Sequence, residues 1–132
     1  MTPDAERPTP VVVQKYGGTS VATGERILAI ADRIEQNLPH TPRLVVVLSA
    51  MGSTTDELVS LANQVSNRPV GREMDLLLST GEQITVSLLG LALQNRAIAA
   101  VSLTALQCGI RTDGVFNLAR IRSIDTARIC AE

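Results

Sequence analysis

The chain is poor in aromatic residues and in cysteine, and it has no excess of positive charge. Tyr16 and Phe116 are its only aromatic residues, so the core must be aliphatic. Cys108 and Cys130 are too few for a disulfide framework or a four-ligand metal site, and we expect buried, reduced thiols. A net charge of −1 provides no basic face for nucleic acid or an anionic membrane, so neither is expected as a partner.

Long apolar runs are missing as well. The longest strongly apolar helix that the sequence predicts, Ile84–Leu93, is about half a membrane span. The opening MTPDAERPTP has acids and prolines where a secretory signal needs a basic and then an apolar run. With 45% hydrophobic and 19% charged residues, a globular core is expected. We therefore predict a soluble, cytoplasmic protein with a disordered tail at residues 1–10.

Short apolar runs predict the strands. Val11–Gln14, Arg43–Ala50 and Ala97–Thr104 are mainly apolar and do not alternate with polar residues, which is typical of strands buried on both faces. Helical patterns separate these runs. This order is that of a parallel α/β sheet with right-handed crossovers. We predict an α/β three-layer sandwich with a mainly parallel sheet and helices on both faces.

Helical spacing of apolar residues predicts the connecting elements. A first helix ends before Pro39, a second covers residues 53–65, and a third runs from about Glu82 to Gln94. Gly81 is expected to interrupt this last helix. The pair Asp113-Gly114, between two short extended pieces, predicts a β-hairpin, and a final helical turn is expected near Asp125.

The stretch VVVQKYGGTS carries the first chemical signal. In a parallel sheet, ligands bind where strands end and helices begin, and residues 15–18 lie at such a point. Gly17 and Gly18 let backbone N–H groups approach an anion, and Lys15 adds a mobile positive charge. Lys15 is the only lysine, whereas the other eleven cations are arginine. The alternative is a tight strand–helix turn with an incidental lysine.

Two more loops are expected at the same edge of the sheet. SAMGSTTDEL places Ser49 and Thr55 after the second strand, where hydroxyls and amides could bind a carboxylate. STGEQ places Glu82 where it could hold an ammonium group. Thr54 with Glu57, and Ser79 with Glu82, also have the spacing of capping boxes, which is the structural alternative for these residues.

Taken together, these loops resemble the amino acid kinase family, and within it the aspartokinases. The resemblance rests on four segments that cover nearly everything from Val11 to Arg128 in the family's order. They are KYGGTSVATGERI, VVVLSAMGSTTDELVSLA, REMDLLLSTGEQITVSLL and GIRTDGVFNLARIRSID. The resemblance implies an amino acid kinase (carbamate kinase-like) fold, with residues 11–132 as the N-terminal part of the kinase domain. It also implies a homo-oligomer.

The implied activity is transfer of a phosphoryl group from ATP, with Mg²⁺, to the side-chain carboxylate of L-aspartate, the first step toward lysine, threonine and methionine. Lys15 would be the catalytic residue, bridging the phosphoryl group and the carboxylate. Lys15, Tyr16, Gly17 and Gly18 would bind the ATP phosphates. Ser49, Thr55 and Glu82 would bind aspartate, with Glu82 on its ammonium group. No protein side chains are expected to form a dedicated metal site.

The chain also departs from the family. Aspartokinases continue into a nucleotide-binding part, with glycine-rich GF-G and GRGGSD-like segments, and then into regulatory domains of the ACT type. Neither segment occurs here. We therefore expect the isolated chain to be inactive. A non-catalytic remnant that binds aspartate or phosphate, or associates with a full-length kinase, is the alternative. A less favoured alternative is a kinase of the same fold that acts on another substrate.

Overall fold

The computed structural model describes residues 10–132, so the tail predicted at residues 1–10 lies, except for Pro10, outside the described part. A short 3-10 turn, Gly18–Val21, follows the first strand. The strands and helices, in chain order, are β1 (Val12–Tyr16), α1 (Gly24–Asn37), β2 (Leu44–Leu48), α2 (Thr54–Val65), α3 (Arg72–Gln94), β3 (Ile110–Thr112), β4 (Ile121–Ile124) and α4 (Ala127–Ala131).

Strands β1 and β2 pair in parallel, with Lys15 opposite Val47 and Tyr16 opposite Leu48. The predicted α/β class with parallel pairing is therefore confirmed. Both strands end at one edge, and each leads into a loop and then a helix. Among residues 10–132, β1 and β2 pair only with each other.

Burial on both faces of the strands was a wrong prediction. Burial alternates along β1, so that one face packs inward while Val13 is 64% exposed. On β2, Leu44, Val46 and Leu48 contact the core, whereas Val47 is exposed. The reason is that α1 and α3 supply the core on one side, while the described residues leave the other face of the sheet open.

The core forms where α1 crosses α3. Its buried residues are Val21, Ile27, Ile30, Ala31, Ile34, Leu89, Ala92 and Leu93. Helix α1 starts at the N-cap Thr23, whose Oγ1 accepts from the amide of Arg26 at 3.3 Å, and ends before Pro39 as predicted. Leu28, on the same helix, is about half exposed.

Helix α3 runs through Gly81 without a break, so the predicted interruption is wrong. Glycine inside a helix costs only about 1 kcal/mol relative to alanine, and close packing at this position offsets that cost. The full helix has 23 residues and a mean hydropathy of 1.5 in its most apolar window, so by length and composition alone it could cross a membrane. In the structure α3 contacts α1, α2 and β2, and 28% of that window is buried.

The C-terminal third differs from the prediction in one strand, in the length of one loop and in the burial of a cysteine. The segment Ala97–Thr104 forms no strand, because no strand lies beside it to complete its hydrogen bonds in the described part of the chain. The predicted hairpin is confirmed, since β3 and β4 pair antiparallel, but residues 113–120 form a loop longer than a tight turn. Both cysteines are free, and Cys130 is exposed rather than buried.

Candidate active site

Two loops meet where β1 and β2 end. The amide of Ser49 donates to the carbonyl of Tyr16 at 3.2 Å, extending the parallel ladder by one step. Further on, the amide of Gly52 donates to the carbonyl of Gly18 at 3.0 Å. These backbone bonds hold the glycine loop after β1 against the loop after β2, so the two loops form one surface.

The two glycines of the first loop differ in their surroundings, and only Gly18 is tightly packed. A Cβ on Gly18 would lie 3.0 Å from the carbonyl oxygen of Ala50, which is closer than side chains normally approach. A Cβ on Gly17 would instead meet the Nζ atom of Lys15 at 3.7 Å. The lysine ammonium therefore lies over the backbone of Gly17. A positive charge is thus placed next to backbone that no side chain covers.

The carboxylate of Glu82 reaches the same edge from α3. Its Oε1 atom accepts a hydrogen bond from the amide of Ala50 at 3.2 Å. Ala50 is the second residue after β2 and is buried. One carboxylate oxygen is thus fixed by the backbone of the loop that carries Ser49 and leads into α2, where Thr55 lies.

Close packing of α3 makes this contact available. A Cβ on Gly81 would lie 2.8 Å from the Cβ of Ala50, so only glycine lets the helix come this near. One turn further along α3, Thr85 is fully buried and its hydroxyl donates to the carbonyl of Gly81 at 3.1 Å. Gly81 therefore serves as a contact point between α3 and the sheet edge, rather than as a helix break.

An open pocket of about 470 Å³ lies beside Glu82. One wall is a single face of α3, which contributes Asp75, Leu78, Ser79 and Glu82. Thr55 from the start of α2 lines a second side, and Asn117 with Ala119 from the 113–120 loop line the third. The pocket therefore combines two carboxylates, two hydroxyls and an amide side chain, which suits a small polar ligand that carries an ammonium group.

The predicted site residues fall into two adjacent groups. Lys15 near the end of β1 lies with Gly17 and Gly18 of the glycine loop, while Thr55 and Glu82 line the pocket. Ser49 lies in the segment that joins these groups and is not part of the pocket lining.

Tyr16 is oriented differently from the other predicted phosphate-binding residues. Its side chain packs against the core, and its hydroxyl donates to Gln14 Oε1 at 2.8 Å. Its carbonyl accepts from the amide of Ser49. The observed contribution of Tyr16 is therefore to join the two loops, and any contact with a ligand would come from its backbone.

Both predicted capping boxes are wrong. Helix α2 begins at Thr54 with Ser53 as its N-cap, and no side-chain hydrogen bond caps it, since the Ser53 hydroxyl donates to the Glu57 carboxylate at 2.5 Å. Ser79 lies inside α3, where its hydroxyl donates to the carbonyl of Leu76 at 2.8 Å. Glu82 is therefore free of any capping role.

Asp75 and Asn117 were not predicted as part of the site. Asp75 lies seven residues before Glu82, a spacing that places both on one helical face, but the assumed break at Gly81 hid this relation. Asn117 carried no comparable signal, because its place in the pocket depends on how the hairpin folds back. Within residues 10–132, no group of three or more His, Cys, Asp or Glu side chains is arranged to hold a metal ion.

Residues 10–130 match the amino acid kinase family, and this chain belongs to that family. It is 53% identical over 119 residues to the aspartokinase of Geobacillus stearothermophilus, a match that covers 90% of this chain and 29% of that protein. It is 52% identical over 117 residues to aspartokinase 2 of Bacillus subtilis, covering 89% and 29% of the two chains.

A solved structure shows the same likeness in three dimensions. The crystal structure of aspartate kinase from Synechocystis superposes with a TM-score of 0.72 at 56% sequence identity, covering 76% of this chain and 17% of that one. The predicted resemblance to the amino acid kinase family and its fold is thereby confirmed. The chain spans less than a third of the length of the curated relatives that it matches.

Proposed function

We propose that this chain forms the acceptor side of an aspartate kinase, which transfers a phosphoryl group from ATP to the side-chain carboxylate of L-aspartate and yields 4-phospho-L-aspartate. The observation that supports this most is the position of Glu82, hydrogen-bonded to the amide of Ala50 beside the glycine loop that follows Lys15. The high identity to proteins named aspartokinase supports the choice of substrate.

Lys15 is assigned to the phosphoryl group. Its ammonium lies over Gly17, where the open backbone leaves room for phosphate oxygens. Phosphoryl transfer depends mainly on positioning and on neutralising negative charge, and an ammonium group with backbone amides can supply both. The residues around the glycine loop thus fit the phosphate end of ATP, and Mg²⁺ would supply further charge neutralisation there when bound with the nucleotide.

Glu82 and Thr55 are assigned to aspartate. With Oε1 held by the amide of Ala50, the second oxygen of Glu82 can accept from the ammonium group of the amino acid. Thr55 lines the same pocket and can donate to a carboxylate oxygen. Ser49, in the segment between the pocket and the glycine loop, is assigned to the carboxylate that attacks the phosphorus.

The isolated chain is proposed to be inactive. A single charge-stabilising group typically stabilises a transition state by about 3–4 kcal/mol. A site without several such groups is therefore expected to show no detectable turnover. A non-catalytic fragment that binds aspartate or phosphate weakly, or joins a full-length kinase, is therefore the second candidate for the chain by itself. The match to only 29% of a curated aspartokinase supports it.

A chimera tests the function directly. The matching segment of the Geobacillus stearothermophilus aspartokinase is replaced by residues 10–130 of this chain, and acyl phosphate is trapped with hydroxylamine in the presence of ATP, Mg²⁺ and aspartate. We expect turnover that depends on aspartate and disappears with Lys15→Ala. A folded but inactive chimera, or equal turnover with another amino acid, would contradict the assignment.

The 132-residue chain alone is assayed beside the chimera. We expect no turnover from it, so activity above its own Lys15→Ala variant would show that a minimal kinase site is complete.

The remaining assignments follow from the proposed function: a cytoplasmic enzyme at the start of lysine, threonine and methionine synthesis.

We also propose that the chain associates with itself through an exposed apolar stripe on α3. The stripe is made of Leu76, Ile84, Leu88 and Leu91, which are exposed and lie along one side of α3, next to its buried face. Sedimentation of the wild-type chain and of Leu91→Glu tests this. We expect the wild type to be larger than a monomer and the variant to shift toward the monomer.

A further inference from the structure

The 113–120 loop is tied to the beginning of α3 by two hydrogen bonds at one residue. The side-chain oxygen of Asn117 accepts from the amide of Gly71 at 3.1 Å, and the amide of Asn117 donates to Asp75 Oδ2 at 3.0 Å. Gly71 is the N-cap of α3, and Asp75 is in its first turn. The loop therefore meets α3 at the same end where the pocket opens.

The conformation of Asn117 is matched to this contact. Its φ angle is 64°, in the left-handed region where asparagine is among the few non-glycine residues commonly found. At the base of the loop, Asp113 Oδ1 accepts from the amides of Val115 and Arg120 at 3.3 and 3.2 Å. The base is thus closed by Asp113, and the tip is fixed on α3 through Asn117.

Apolar packing contributes little to the position of this loop. Val115 and Phe116 are about half exposed, and Leu118 is 78% exposed. The two bonds at Asn117 are therefore the main restraint between the loop tip and α3. Asn117 and Ala119 also line the pocket that contains Glu82 and Thr55, so the shape of that pocket depends on the restraint.

We propose that Asp75 and Asn117 are positioning residues that hold the 113–120 loop as one wall of the amino acid pocket. The inference rests on the proposed function, in which this pocket binds the ammonium end of aspartate. Asp75 acts through the amide of Asn117 rather than on the substrate, so its contribution depends on its ability to accept a hydrogen bond. Loss of the wall weakens aspartate binding and leaves Lys15 and the glycine loop unchanged.

The active chimera provides the kinetic test. Asp75→Ala is expected to raise KM for aspartate about tenfold, the effect of losing one charge-assisted hydrogen bond, while kcat stays within about twofold. Asp75→Asn retains an oxygen that can accept from Asn117, so it is expected to restore KM to within about threefold of the parent. Glu73→Ala, in the same turn but outside the pocket lining, is the matched control and should change neither constant.

Asn117 offers a second and independent variant. Asn117→Gly keeps the positive φ angle and the backbone amide that donates to Asp75, but it loses the bond from Gly71. We expect a smaller rise in KM than for Asp75→Ala. If Asp75→Ala does not fold, Asn117→Gly decides the question by the same measurement.

Hydrogen exchange gives a readout that does not depend on activity. In the 132-residue chain, Asp75→Ala should speed exchange of the Asn117 amide, whereas amides in the centre of α1 should exchange as before. Unchanged exchange and unchanged KM would overturn the inference. A KM for Asp75→Asn as high as for Asp75→Ala would also overturn it, because the charge itself would then contact the substrate. A chimera that is inactive before any substitution contradicts the proposed function instead, and exchange alone then decides whether Asp75 holds the loop.

Discussion

The two main walls of the pocket are built in opposite ways. The α3 wall belongs to the helix that packs against α1, with Leu89 and Leu93 buried in the shared core. The wall formed by the 113–120 loop has exposed apolar side chains and is held by polar contacts to Asp75 and Gly71. The comparison teaches that the core fixes the position of the carboxylate Glu82, while a few surface hydrogen bonds shape the space in front of it.

The largest effect is expected on stability, for a substitution in the core beneath the α3 wall compared with one on the surface of the loop wall. Ile34 is 2% exposed and Leu118 is 78% exposed. Ile34→Ala is expected to lower the free energy of unfolding by about 2–5 kcal/mol, because it removes buried methyl groups and leaves a cavity. Leu118→Ala should change it by about 0.5 kcal/mol or less. Urea denaturation of both variants measures the difference, and equal losses would show that the hairpin also contributes to the core.

The next effect concerns Glu82 as the charged group of the α3 wall. Glu82→Gln keeps an oxygen for the amide of Ala50 but removes the charge proposed to hold the ammonium group. We expect KM for aspartate in the chimera to rise roughly 10- to 100-fold, the usual range for a hydrogen bond to a charged group. Glu73→Gln is the control, since Glu73 pairs with Arg72 at the surface. If neither substitution changes KM for aspartate, Glu82 does not bind the substrate.

A smaller effect should come from the contact that brings α3 to the sheet edge. Gly81→Ala places a methyl group 2.8 Å from Ala50 Cβ and is expected to cost about 1–3 kcal/mol of stability through overpacking. Gly24→Ala meets nothing within 4 Å and should be neutral or slightly stabilising. Thermal unfolding of the two variants gives the comparison. Greater stability for Gly81→Ala would mean that helix propensity outweighs the contact.

The smallest effect belongs to the polar link between α1 and the end of α3. Arg96 contacts Asp32 at 2.5 Å and Glu35 at 3.6 Å, and both acids are more than half exposed. Asp32→Asn should therefore lower stability by about 1 kcal/mol or less. The loss should shrink further in high salt, because screening already weakens the pair. A larger loss that salt does not change would place this pair among the core contacts.

Much of the fold was predictable because it depends on local patterns. The β-branched runs before Lys15 and Ser49 predicted β1 and β2, and the proline at position 39 predicted where α1 ends. The parallel pairing followed from the alternation of these runs with helices. The prediction of a strand at Ala97–Thr104 was wrong. A strand needs a neighbouring strand to complete its hydrogen bonds, and an apolar run does not show whether one is present.

Part of the site was predictable for the same reason. Lys15 lies beside two glycines, Thr55 lies in SAMGSTTDEL and Glu82 lies in STGEQ, and these short motifs can be recognised without knowing the fold. Their catalytic and binding roles remain predictions for the experiments above. Asp75 was missed since glycine at position 81 suggested a break, although the helix continues.

By itself, the sequence determined the α/β class, the family resemblance and the residue types available at the edge of the sheet, because these depend on composition and on neighbours along the chain. Only the tertiary structure decided that Gly81 packs on Ala50, that Glu82 bonds to the Ala50 amide, and that Asn117 returns to Asp75. Each of these contacts joins residues more than thirty positions apart. Their geometry depends on how α3 and the hairpin pack, and no local pattern encodes it.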